Sequence, residues 1–302
     1  MNYVFNVDEK NLDKLKTYYQ RIACETSNPT QKHLFKSDDL TITVYKSNKV
    51  MFQGLKALEE YNKWSSIIGY EPLKVEKHPV DYDNQFKDMK AIGSDEVGTG
   101  DFFGPVIVTA AYIEPKEYPL LKSLNVRDSK KMSDNEIIKT AEILIKTIDH
   151  QVLITPNTKY NELVSQGFNL NKIKAYLHNH AIKKMINLSK DYQVIIIDQF
   201  CSEKKYFEYL QSVEAIKDVT LVTQAESVHM SVAVAAIISR YHLILEFEKL
   251  SKKIGIELPK GASGAVDAIA KVILLKHGIE VFNEISKLNF KNYEKIKELR
   301  LF

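Results

Sequence analysis

The sequence predicts an α/β protein of two units: a small α+β layer, followed by a mixed sheet flanked by helices. Three observations predict it. From residue 91 onward, apolar runs of strand length alternate with helical spacings. Before residue 70, a hairpin pattern lies between two amphipathic helical patterns. Between the two, residues 70–90 carry Pro72, Pro79 and a run of Asp, Lys and Glu that breaks every period. The expected units are therefore residues 1–70, a linker at 71–90, and residues 91–302. A chain of 302 residues is long enough for each unit to bury a core of its own.

In chain order, residues 3–7 read as a short strand, and Leu12, Leu15, Tyr18, Tyr19 and Ile22 give residues 8–22 a helical period. Residues 40–45 and 50–53 flank the polar Lys46-Ser47-Asn48-Lys49, which is a hairpin signature. A second helix follows from Leu55 to about Ile68. In the larger unit, strands are expected at 91–95, 105–113, 151–155, 194–198 and 219–223, and helices at 133–148, 171–190, 203–213, 229–250 and 263–277. In such an alternation, ligands are expected at the carboxyl ends of the strands.

Composition excludes several classes of function. The net charge is +3, too small for bulk attraction to nucleic acid, so a basic surface has to be local. Cys24 and Cys201 are far apart and lack metal-ligand spacing, which leaves reduced thiols as the reading. The N-terminus has no basic, apolar leader pattern, and the purest aliphatic run, Val232 to Ile238, is too short to cross a bilayer. The chain reads as cytoplasmic, without a membrane partner, and as a monomer.

Four acids carry the chemistry. Asp95 and Glu96 stand where the apolar approach Ala91-Ile92-Gly93 gives way to the glycine-rich Gly98-Thr99-Gly100. Asp198 closes the aliphatic run Val194 to Ile197, and Glu226 follows the strand 219–223. Singly, Asp198 reads as well as a helix cap, and Glu226 as an acid favoured at a helix start. Together, four acids at one edge of a sheet repel one another unless a cation lies between them. Oxygen-only ligands select Mg²⁺ or Mn²⁺. Two such ions about 4 Å apart activate a water on one side of a phosphate and stabilise the leaving oxygen on the other. The glycines lack the GK[ST] continuation of a P-loop. Their use is to bare backbone groups to a ribose 2′-OH or a phosphate, with a simple tight turn as the plainer reading.

The stretch Asp95-Glu96-Val97-Gly98-Thr99-Gly100-Asp101-Phe102-Phe103-Gly104-Pro105 resembles the opening motif of ribonuclease HIII, a branch of the type 2 ribonucleases H. Arg127-Asp128-Ser129-Lys130-Lys131-Met132-Ser133, Ile197-Asp198-Gln199-Phe200, and Gln224-Ala225-Glu226-Ser227 with its following helix extend the resemblance over residues 91 to about 277. It implies a ribonuclease H-like catalytic domain that cleaves the RNA strand of RNA/DNA hybrids, leaving 5′-phosphate and 3′-hydroxyl ends. Asp95, Glu96, Asp198 and Glu226 become the catalytic, metal-binding set. Gly98, Thr99 and Gly100 read the 2′-OH, and Ser129, Lys130 and Lys131 contact phosphates. The resemblance further implies that residues 1–70 form a TATA-box-binding-protein-like domain that grips the hybrid.

The sister ribonuclease HII branch, which cuts at single embedded ribonucleotides, carries arginine between the glycines and typically aspartate as the fourth acid. Thr99 and Glu226 stand at those positions here. A protein that binds hybrids without cutting them is the reading from another class, and the intact acid set opposes it. His229, near Glu226, reads as a packed histidine at a helix start.

Overall fold

The computed structural model describes residues 2–26, 28–37, 39–54, 56–69, 85–188 and 191–299. The chain divides into two compact units, residues 1–79 and 80–302. Most of the expected linker, residues 71–84, lies outside the described residues. Residues 85–90 belong to the second unit, where Phe86 is buried with Ala91 and Ile196.

The first unit is one antiparallel sheet covered by two helices. Strands β1 (Asn2–Asn6), β2 (Ala23–Cys24), β3 (Gln31–Lys36), β4 (Thr41–Tyr45) and β5 (Lys49–Gln53) lie in the order β1-β5-β4-β3-β2. Helix Glu9–Tyr19 starts at Asp8, whose side chain accepts the Asn11 N–H at 2.7 Å. Helix Ala57–Ile68 ends at Gly69 in the left-handed region. Leu12, Leu15 and Tyr19 from one helix and Ala57, Tyr61 and Trp64 from the other close over Phe5, Ile42, Val44, Val50 and Phe52. The hairpin forms as the sequence predicts, with Asn48 at φ 60° in its turn. Strands β2 and β3 were not expected. In β3 every position but Phe35 is partly or fully exposed, so no apolar alternation marks it.

The second unit is a mixed sheet of five strands, β6 (Ala91–Val97), β7 (Val106–Ile113), β8 (His150–Thr155), β9 (Val194–Asp198) and β10 (Val219–Val222), in the order β10-β9-β6-β7-β8. The pairs β6–β7 and β7–β8 are antiparallel, whereas β6–β9 and β9–β10 are parallel. Ile195, Ile196 and Ile197 are all fully buried, as a central strand covered on both faces requires. Helices Leu170–Leu188 and Glu203–Tyr209 cover one face, and Met230–Ile254 covers the other. Helices at Tyr118–Ser123, Asn157–Ser165, Phe282–Ile285 and Lys291–Leu299 were not expected. All four are nine residues or fewer, a length at which a helix depends on tertiary packing for its stability.

Helix Met230–Ile254 is longer than the aliphatic run Val232 to Ile238, and by length and composition it could span a bilayer. In this protein it is the central core helix. Every residue from Ser231 to Ser239 is buried, between the sheet and helix Asp134–Thr147. Small residues let it lie close to β6. At Gly93 an added Cβ would sit 2.3 Å from the Ser231 hydroxyl and 2.4 Å from the Val232 nitrogen, so only glycine admits the helix there.

Candidate active site

Strand register brings two of the acids side by side. The last β6–β9 pair is Ser94 opposite Ile197, and the next residues along these parallel strands are Asp95 and Asp198. Neighbouring strands lie about 4.8 Å apart, so the two carboxylates emerge together at the carboxyl edge. Glu226 arrives from the short helix Ala225–Val228 that follows β10.

Alternation along β6 then separates the adjacent pair. Ala91, Gly93 and Asp95 face helix Met230–Ile254, whereas Ile92, Ser94 and Glu96 face helix Leu170–Leu188. Asp95, Glu96 and Glu226 line a cavity of about 370 Å³ together with Ser129, Lys130 and Arg240.

Each carboxylate is held by protein donors. The Glu96 N–H donates to Asp95 Oδ1 at 2.7 Å, and the Ala225 N–H donates to Asp198 Oδ1 at 3.0 Å. Glu226 accepts the Ser129 N–H at 2.7 Å on Oε2 and the Lys130 ammonium at 3.1 Å on Oε1. Glu96 accepts Lys174 Nζ at 2.6 Å on Oε1 and faces His178 Nε2 at 2.9 Å with Oε2. Among the described residues, no three His, Cys, Asp or Glu side chains form a ready-made ion cage. The ammonium groups and N–H groups hold the acids where a cation would otherwise draw them inward.

Electrostatics couples the four. Burial pushes the Asp95 carboxyl well above the usual range, and the charges of Glu96, Asp198 and Glu226 raise it further. Asp198 is also raised, mainly by burial, against the pull of the Ala225 N–H. Burial alone would raise Glu96 as well, but His178 and Lys174 outweigh it and hold that carboxyl below its ordinary value. Lys130 is pushed down by burial, and Glu226 more than offsets this, so the ammonium stays firmly charged. A buried carboxylate repelled by three others is what a divalent cation relieves, and the all-oxygen donor set fits Mg²⁺ or Mn²⁺.

The loop after the acids is pinned at several points. Gly98 has φ +83°, and an added Cβ would lie 2.2 Å from the Pro105 carbonyl. Gly98 is buried, Thr99 half-buried and Gly100 exposed, with nothing within 4 Å of an added Cβ at Gly100. The buried Lys287 donates to the carbonyls of Asp101 at 2.8 Å, Gly104 at 2.5 Å and Phe103 at 3.5 Å, and Asn157 Nδ2 donates to Gly104 at 2.8 Å. Of the expected phosphate contacts, Ser129 and Lys130 stand at the acids. Lys131, an exposed side chain, pairs with Asp128 at 3.5 Å and is not among the residues lining the cavity.

Arg240 braces this loop from the core helix, donating to the Ser129 carbonyl and, at 2.8 Å, to Asp134. Sequence reasoning did not pick out Lys174, His178, Asn157 or Lys287. Lys174 and His178 were legible as an i, i+4 pair on one helix face, whereas Lys287 and Asn157 carry no local signal.

His229 caps helix Met230–Ile254. Its Nδ1 accepts the Ser231 N–H at 3.1 Å, and its Nε2 faces the Met89 carbonyl at 3.2 Å and the Tyr118 hydroxyl at 3.0 Å. Burial lowers its pKa to about 4, with the Met89 carbonyl pulling the other way. Below the ordinary value of 6.5 the unfolded chain takes up a proton that the folded one refuses. His229 should therefore cost about 1.4 kcal/mol of stability per pH unit between about pH 6.5 and 4. Replacing it with Asn, which can also cap, should flatten that part of the profile. Urea midpoints of the two proteins at pH 5 and 7 test this, and parallel profiles would refute it.

A ribonuclease H-like sheet carrying carboxylates at the ends of its central strands defines the chain as a metal-dependent endoribonuclease of the ribonuclease H type. The family model described as Ribonuclease HII matches residues 92–293, and one described as a domain of unknown function, DUF3378, matches residues 2–76. Ribonuclease HIII of Listeria monocytogenes serotype 4b (strain F2365) is 42% identical, covering 97% of each chain. That of Bacillus subtilis (strain 168) is 39% identical, covering 98% of this chain and 97% of its own. The crystal structure of Bst-RNase HIII in complex with Mn2+ matches with a TM-score of 0.71 and 37% identity over 99% of both chains. The chain belongs to the ribonuclease HIII family.

Proposed function

We propose that this protein hydrolyses the RNA strand of RNA/DNA hybrids with two divalent ions, Mg²⁺ or Mn²⁺, leaving 5′-phosphate and 3′-hydroxyl ends. The observation that carries this reading is geometric: Asp95 and Asp198 follow the last register pair of the parallel strands β6 and β9, and Glu96 and Glu226 line the same cavity as Asp95. When bound, the ions lower the pKa of an attacking water and neutralise charge at the phosphate. Asp95, Glu96, Asp198 and Glu226 would hold them through their carboxylate oxygens. No side-chain nucleophile is needed.

Lys130 and the Ser129 N–H, released from Glu226, are placed to meet a phosphate near the cut. The Lys287 clamp and the Gly98 turn fix the backbone of residues 98–104, which presents Gly98, Thr99 and Gly100 to a 2′-OH. Residues 1–70 serve as the hybrid-gripping domain, joined through 71–90 to the catalytic residues 91–302. All four acids lie on one chain, which supports a monomeric working unit. The free thiols of Cys24 and Cys201 suit the reducing cytoplasm.

The test is incubation of the protein with an end-labelled RNA/DNA duplex, with and without EDTA. We expect metal-dependent cuts within the RNA, bearing 5′-phosphate and 3′-hydroxyl ends. A duplex with one embedded ribonucleotide should be the poorer substrate. Cleavage that survives EDTA, or equal cutting of single-stranded RNA, would overturn the reading.

A further inference from the structure

Among the four acids, Glu96 is held in a distinct way. Both of its oxygens are taken by buried side chains of one helix, Lys174 and His178, whose side chains are 9% and 0% exposed. The other ammonium in the cluster, Lys130 on Glu226, has a side chain 77% exposed and can swing into solvent. Lys174 cannot.

Its position is built in from below the sheet. Phe200, two residues beyond Asp198, stacks on His178 with ring centroids 5.3 Å apart and planes tilted by 16°. The Lys174 ammonium sits 4.2 Å from the centre of the same ring, a cation–π contact. His178 Nδ1 meets the Ser94 hydroxyl at 2.7 Å, and that hydroxyl also reaches the Thr109 carbonyl at 2.9 Å. One aromatic plate therefore fixes both partners of Glu96 and ties them to the loop that follows Asp198. An ion pair this well buried is weakly screened by solvent and salt, so the ammonium acts strongly on Glu96.

We propose that Lys174 is the resident counter-ion of the acid cluster: its ammonium neutralises Glu96 in the metal-free protein, and a divalent cation has to compete with it. Lys174 thereby sets how tightly the site takes metal. This inference rests on the reading of the four acids as the metal-binding set. His178 is the positioning residue that keeps Glu96 in place when the ammonium is removed or displaced.

The physical consequence is a trade. Without the ammonium, Glu96 keeps His178 but loses the full positive charge on its Oε1, so its own charge is less balanced and the metal-free fold is destabilised. The same loss of balance raises the attraction for a divalent ion. A purely structural lysine predicts the reverse for metal, since a displaced Glu96 would bind it more weakly.

The experiment is a Mn²⁺ titration of the full-length chain by calorimetry and by the EPR signal of free Mn²⁺, with thermal melts of the metal-free and Mn²⁺-loaded proteins. The variants are Lys174→Met, Lys174→Arg and Glu96→Gln. For Lys174→Met we expect a dissociation constant about tenfold lower than that of the unaltered protein. Its metal-free melting temperature should fall, and the shift on adding Mn²⁺ should widen. Lys174→Arg, which keeps the charge, should bind Mn²⁺ within about twofold of the unaltered protein. Should Lys174→Met fail to fold, Lys174→Gln carries the same expectation.

Unchanged or weaker Mn²⁺ binding by the neutral variants, with Glu96→Gln weakened, overturns the counter-ion role and leaves the acid-cluster reading standing. If Glu96→Gln binds Mn²⁺ as well as the unaltered protein, the acid-cluster reading fails and the counter-ion role fails with it.

Discussion

Replacing Asp95 or Asp198 with asparagine is expected to lower turnover of an RNA/DNA hybrid by about a thousandfold or more, while hybrid binding at matched salt changes only a few-fold. Asparagine keeps the size of aspartate and removes the charge that holds a divalent ion, and such an ion contributes several kcal/mol of transition-state stabilisation. Hybrid affinity comes largely from phosphate contacts elsewhere, so it is spared. The same substitution has a second signature. Asp95 is buried and repelled by three other carboxylates, so its neutral replacement should raise the melting temperature of the metal-free protein. Single-turnover cleavage, fluorescence anisotropy with a labelled hybrid, and a thermal melt separate these effects. Undiminished turnover in both variants would remove the two aspartates from the chemistry.

Lys287 should impose a pH dependence on stability of unusual direction for a lysine. It is wholly buried, touches carbonyls rather than a carboxylate, and burial lowers its pKa to about 7, with the Asp101 charge pulling the other way. Between about pH 7 and the ordinary lysine value of 10.5, the unfolded chain holds a proton that the folded chain has released. Stability from this group therefore rises with pH across that window, by about 1.4 kcal/mol per unit, and the cost of burying the charge is fully present below pH 7. Lys130, whose partner is a carboxylate, has a raised value and weakens the fold only above 10.5. Urea unfolding at pH 7, 8 and 9 for the unaltered chain and for Lys287→Met measures the difference, and equal slopes in the two proteins would exclude a titrating Lys287.

What a sequence makes legible depends on periodicity and on range. Strand β9 and helix Gly264–His277 were legible within a residue, because a continuous aliphatic run reports burial directly and the helix is bounded by Ser263 and Gly278, a start and a stop signal. Strand β3 was not, because nearly all of its side chains keep some exposure and give no period to read. The candidate acids were legible because a strand followed by an acid and a helix start is a local pattern. Their partners at the site came from elsewhere in the chain: Lys174 is 78 residues from Glu96, and Lys130 is 96 residues from Glu226.

By itself, then, the sequence determined which residues are the candidates for the chemistry: four carboxylates, each at the end of an apolar strand or at the helix start that follows one, beside a turn that only glycine can make. The tertiary structure decided how those charges are balanced. A β-strand turns successive side chains to opposite faces, so Asp95 joins Asp198 above the sheet while Glu96 meets Lys174 and His178 below it. Which cation or N–H group answers each acid depends on helices that pack on those faces from distant parts of the chain, and no local pattern encodes that packing.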